Sequence, residues 1–122
     1  MPSKSNSAVK SNESAPVLDR QHLARYTLGD AGLERELLQL FIDQMHLSLG
    51  KLKSAVTTKE WRLACHTLKG SAAAVGAAEI NRLAVALEAR CFTGTPAAGD
   101  AGIAALELAG RRFQEATGRI IG

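Results

Sequence analysis

The sequence predicts an all-α protein: an antiparallel up-and-down four-helix bundle with a short extra helix at its N-terminal end. Three observations carry that expectation. Hydrophobic residues make up 46% of the 122 residues and aromatics only 4%, and the excess is Ala and Leu, which favour helices packed closely through small side chains. Apolar residues recur at three- and four-residue steps, the period of a helix with a buried stripe. No stretch alternates apolar and polar residues as a half-buried strand does, and the breaks between helical stretches are short. A chain of this length suits one domain with one core.

The opening stretch, residues 1–16, is rich in Ser, Asn and Lys with almost nothing to bury, and is expected to be a flexible tail. The domain is expected to occupy residues 17–122. Asp19 can cap a short helix carrying Leu23 and Tyr26, and Thr27-Leu28-Gly29-Asp30 reads as a turn. A long helix follows from Ala31 to about Val56, with Leu38, Phe41, Met45, Leu49, Leu52 and Val56 on one stripe and Leu33, Leu37, Leu40 and Leu47 as a second apolar edge. Gly50 within it is a candidate bend. The next helix is expected over Thr58–Val75, with Trp61, Ala64, Leu68, Ala72 and Val75 inward and Gly76 as its stop. Another runs from about Ala77 to Phe92, burying Ile80, Leu83, Ala84 and Leu87. Thr93-Gly94-Thr95-Pro96 breaks the chain, with Thr95 a plausible helix start before Pro96. The last helix carries Ile103, Leu106, Gly110, Phe113, Thr117 and Ile120 or Ile121 on one face.

Composition narrows the function classes. A net charge of +3, with basic and acidic residues interspersed, forms no basic stripe for nucleic acid. No apolar run approaches the ~20 residues that span a bilayer, and the polar N-terminus lacks the apolar core of a signal peptide, so a cytoplasmic protein is expected. Cys65 and Cys91 are too few for a disulfide framework.

The chemistry concentrates in Ala64-Cys65-His66-Thr67-Leu68-Lys69-Gly70-Ser71. At about 100° per residue, His66 lies roughly 180–200° from the inward-facing Ala64 and Val75, so its ring points outward. Lys69 and Gly70, three and four positions on, share that face, and Arg62 and Ala73 complete it. Gly76 makes a corner between two helices, with His66 ten residues before it and Glu88 twelve after. These lie at roughly 15 and 18 Å from the corner, nearly level, so Glu88 can face His66. An imidazole held at Nδ1 by a carboxylate keeps Nε2 free as a nucleophile, for phosphoryl acceptance or for proton shuttling. Lys69 can offset an incoming phosphoryl charge, and Gly70 removes bulk beside the ring. Singly, each residue has a plainer reading: a surface histidine, a solvated lysine, a helix-packing glycine, a surface carboxylate.

Together, His66-Thr67-Leu68-Lys69-Gly70-Ser71-Ala72, the following Gly76-Ala77 and the stretch from Leu83 to Leu87-Glu88 resemble the histidine-containing phosphotransfer (HPt) domain family. The likeness extends from about Pro16 through Leu37-Leu38-Gln39-Leu40-Phe41 to Glu88. It implies a four-helix bundle whose histidine, here His66, takes a phosphoryl group on Nε2 from a receiver aspartate or a kinase and passes it to another receiver's aspartate. Lys69, Gly70 and Glu88 match the family's lysine, glycine and ring partner. The implied protein is a monomeric phosphorelay carrier between a hybrid sensor kinase receiver and a response-regulator receiver, with no kinase activity or cofactor of its own, Mg2+ being supplied by the receiver. Beside Arg62 and Ala73, the candidates for docking a partner are Leu38, Ile42 and Met45, for which burial is an equal alternative. The rival function is a helical adaptor that binds and regulates a receiver or kinase without carrying phosphate. A Cys65–His66 enzyme is a distant third, because adjacent helical residues diverge by about 100°.

Overall fold

The computed structural model describes residues 17–94, 96 and 100–121, with side chains described up to residue 119. The expected tail, Thr95 as a helix start and the orientation of Ile120 or Ile121 lie outside this set. The described residues form five helices: α1 Arg20–Thr27, α2 Ala31–Ser54, α3 Thr58–Val75, α4 Ala78–Ala89 and α5 Ala101–Ile121.

Each helix start has a local cause. Asp19 accepts the His22 N–H at 3.1 Å and Asp30 accepts the Leu33 N–H at 2.9 Å, so short acidic side chains satisfy amides that the first turn leaves unpaired. Thr57 and Glu60 form a reciprocal capping box on α3. At the other end, α3 stops where Gly76 takes φ +82°, a left-handed conformation that costs glycine little. The Gly76 carbonyl accepts the Asp19 N–H at 2.9 Å, which fastens the start of α1 to the α3–α4 corner. The Arg20–Glu34 ion pair at 2.7 Å ties α1 to α2 as well.

The four long helices close a ring, α2 against α3, α3 against α4, α4 against α5 and α5 against α2, and among the described residues no backbones approach closely across either diagonal. Side-chain pairs show that neighbours run antiparallel. Along α2 and α5, His46 meets Gln114 and Lys53 meets Glu107; along α4 and α5, Glu79 meets Arg112 while Arg90, just past α4, meets Asp100. In each case the partner's number falls as the first one's rises. The core holds Leu38, Phe41, Ile42, Met45, Leu49 and Leu52 of α2, Trp61, Ala64, Leu68 and Ala72 of α3, Ile80, Ala84 and Leu87 of α4, and Ile103, Leu106, Ala109 and Phe113 of α5. Gly110 lets α5 approach α2: a Cβ there would stand 3.0 Å from Met45 Sδ.

Several expectations need correction. Helix α2 runs unbroken through Gly50 but ends at Ser54, so Val56 is exposed beyond it and Ala55 is buried instead. Of the second apolar edge, Leu37 packs against the core, whereas Leu33, Leu40 and Leu47 face solvent. Helix α4 ends at Ala89, three residues before Phe92. Three side-chain anchors compete with further helix: the Arg90 guanidinium sits 5.2 Å above the Trp61 ring and binds Asp100 through two nitrogens, and Phe92 packs on Trp61 with centroids 5.3 Å apart. The last helix is described from Ala101, where Asp100 accepts the Gly102 and Ile103 N–H groups. Leu38, Ile42 and Met45 are buried; as members of the inward stripe they present no surface for docking.

Candidate functional site

His66 stands on α3 between two fully buried residues, Cys65 and Leu68, which fix the rotation of the helix and turn the imidazole outward. Its side chain is 68% exposed. Burial pushes the Cys65 thiol up to about 11, so the sulfur is a neutral core group and no thiolate accompanies the ring. Arg62, Gly70 and Ala73 share the exposed face as the spacing predicts.

Glu88 reaches this face from α4. Its Oε2 lies 3.8 Å from His66 Nδ1, and its Oε1 accepts a bond from Lys69 Nζ at 2.7 Å. The level-matching across the Gly76 corner therefore brings the two residues together, at a distance beyond a direct hydrogen bond. The Lys69 bond also holds the Glu88 carboxyl below its ordinary value of 4.5, with His66 and Arg62 adding smaller contributions of the same sign. A carboxylate anion thus faces Nδ1 at neutral pH, while Nε2, on the far side of the ring, is left to solvent.

The sequence reading placed Lys69 ready for an incoming phosphoryl group, and the structure adds that its ammonium is engaged by Glu88. Gly70 has open space where a Cβ would be: no atom lies within 4 Å. Close helix packing therefore does not explain this glycine.

Asn81 is a member of the site that sequence reasoning missed. From α4 its Nδ2 donates to the Lys69 carbonyl at 2.9 Å. Its position seven residues before Glu88, on the same face of α4, was the available signal.

A cavity of about 370 Å³ lies between α2 and α3, lined in part by Gln44, Ser48, Lys51, Leu63 and Thr67 and not by His66, Lys69, Gly70 or Glu88. Leu63 joins Leu40 and Leu47 as exposed apolar residues on these two helices. Among the described residues no group of three His, Cys, Asp or Glu side chains could hold a metal ion, and no helix is long and apolar enough to cross a membrane.

Neither curated proteins nor solved structures give a match to this chain. Among family models, the one described as Hpt domain matches residues 36–116, a span that holds His66, Lys69, Gly70, Asn81 and Glu88 together with most of the bundle. Over more than half its length, then, and through the helices that build the site, the chain belongs to the Hpt domain family, carriers that perform histidine phosphotransfer in two-component phosphorelays.

Proposed function

We propose that the chain is a phosphorelay intermediate in which His66 Nε2 accepts a phosphoryl group from a receiver-domain aspartyl phosphate and returns it to the aspartate of a second receiver. The supporting observation is the placement of Glu88 against Nδ1 of an outward-facing ring. With the proton on Nδ1, the Nε2 lone pair attacks phosphorus. The Nε2–P bond forms, the aspartyl O–P bond breaks, and the receiver carboxylate leaves with the electron pair. The ring becomes cationic as it is phosphorylated, and the Glu88 anion offsets that charge. Positioning and charge account for the protein's share of the step, and Mg2+ and the aspartate belong to the receiver. The upstream partner is the receiver of a hybrid sensor kinase and the downstream partner that of a response regulator. The chain itself neither uses ATP nor phosphorylates itself, and it works as a cytoplasmic monomer.

Mixing the chain with a labelled phospho-receiver tests this directly. The expected product is an acid-labile, base-stable label on wild type and none on His66→Gln. Equal labelling of the two would remove His66 as the carrier, and binding of the receiver without any transfer would favour a regulatory adaptor.

A further inference from the structure

Helix α4 holds Lys69 at both ends. A helix points its carbonyls towards its C-terminus and tilts its Cα–Cβ bonds towards its N-terminus. The carbonyl of Lys69 therefore faces the Gly76 corner, where the start of α4 lies, and its side chain leads back towards His66. Because α4 runs antiparallel to α3, Asn81 near the corner meets the carbonyl at 2.9 Å, and Glu88 further from it meets the ammonium at 2.7 Å. Seven residues turn a helix through about 700°, so Asn81 and Glu88 lie within roughly 20° of one another on the face that α4 turns to α3, about 10 Å apart along its axis.

The two contacts differ in what they can fix. The Glu88–Lys69 bond joins the ends of two long side chains, each about a quarter to a third exposed, and such a pair tolerates sliding of one helix past the other. Asn81 is shorter, and its bond ends on backbone. It fixes where α4 stands relative to the turn of α3 that carries Lys69, one turn on from His66. A second side-chain bond between these helices ends on the α4 backbone, Trp61 Nε1–H donating to the Leu87 carbonyl at 3.3 Å. It holds α4 on the side of Glu88 away from the Gly76 corner, while Asn81 holds it on the corner side. The core residues Leu68, Ala84 and Leu87 add apolar packing, which is less directional than a hydrogen bond.

We propose that Asn81 is a positioning residue for phosphoryl transfer: by bonding the Lys69 carbonyl on the corner side of Glu88, opposite the Trp61–Leu87 bond, it completes the register of α4 on α3 that brings the Glu88 carboxylate opposite His66 Nδ1. Asn81 touches neither the ring nor the phosphoryl group and acts through Glu88. This inference rests on the phosphorelay reading of His66.

The test compares wild type, Asn81→Ala, Asn81→Asp, Glu88→Ala and the double variant Asn81→Ala/Glu88→Ala in single-turnover transfer from a phosphorylated receiver across a range of receiver concentrations. Asn81→Asp keeps the side-chain shape and loses the donor when ionised. Both Asn81 variants are expected to lower the maximal transfer rate about five- to tenfold, with receiver affinity within about twofold of wild type, and Asn81→Ala to add nothing further in the Glu88→Ala background. Nitrogen NMR of the His66 ring is expected to show a smaller share of the Nδ1–H tautomer in both. The inference is overturned if Asn81→Asp transfers within about twofold of wild type, or if the Asn81 effect persists undiminished in the absence of the Glu88 carboxylate. Failure of wild type to accept label at all would instead remove the phosphorelay reading, so the two failures are distinguishable.

Discussion

Lys69 Nζ lies 2.7 Å from Glu88 Oε1, so the cation on the His66 face is held by the carboxylate that also faces the ring. A phosphoryl group arriving at Nε2 carries more negative charge than Glu88 and three acceptor oxygens, and competes with it for the ammonium. Lys69→Met removes that contribution. Transfer from a phospho-receiver is expected to slow by about tenfold, the scale of one lost charge-assisted contact. The fold is expected to lose less than about 1 kcal/mol, because the pair is partly exposed. Rapid-quench transfer and urea unfolding read the two effects separately, and wild-type transfer by Lys69→Met would leave the lysine with only its Glu88 contact.

Acid sensitivity should trace to Asp100 and Glu88. Asp100 is held below its ordinary value of 3.8, chiefly by the Arg90 guanidinium and further by the α5 amides it caps; Glu88 is lowered by Lys69. A carboxyl whose folded pKa lies below its unfolded value stabilises the fold above that unfolded value, and the stabilisation is lost as pH falls through the folded one. For both groups the loss therefore begins near or below about pH 4.5 and continues downward. Asp100→Asn is expected to unfold at lower urea concentration than wild type at neutral pH, with the gap narrowing as pH falls below about 4. A gap that stays constant across that range would mean that the Arg90–Asp100 bridge is not its source.

The residues that were legible in the sequence are those whose placement follows from local periodicity or local chemistry. Trp61, Ala64, Leu68, Ala72 and Val75 repeat at helical steps, and Asp19 and Gly76 mark helix ends with a capping side chain and a left-handed φ. Glu88 was found across the corner because a two-helix hairpin fixes levels by counting residues. What stayed hidden depends on contacts between distant segments. The end of α4 is set by Arg90 and Phe92 meeting Trp61 about thirty residues earlier and Asp100 ten later, and helical propensity alone carries the pattern on to Phe92. Leu40 and Leu47 are as apolar as Leu38 and Leu49, and only the ring of neighbours decides which of them is covered. Asn81 reads as an ordinary polar helix residue until the Lys69 carbonyl is seen opposite it.

Three glycines separate folding from function. Gly50 and Gly70 both lie inside helices, and a Cβ at either would have no atom within 4 Å. Changing each to Ala is expected to raise stability by roughly 0.5–1 kcal/mol, because alanine loses less backbone freedom on folding. Gly76 is the opposite case: its φ is +82°, and a Cβ would stand 2.7 Å from the Asp19 carbonyl oxygen. Gly76→Ala should strain the corner and push α1 away from it, costing about 1–3 kcal/mol. Transfer discriminates between the first two. Gly70 is one helical turn from the reacting nitrogen on the face a receiver must approach, and Gly50 is on another helix. Gly70→Ala is therefore expected to be the more stable and slower protein, and Gly50→Ala the more stable and equally fast one. Urea midpoints paired with transfer rates for the two variants decide it: if Gly70→Ala is stabilised and transfers at the wild-type rate, the open space beside His66 is not what the receiver uses.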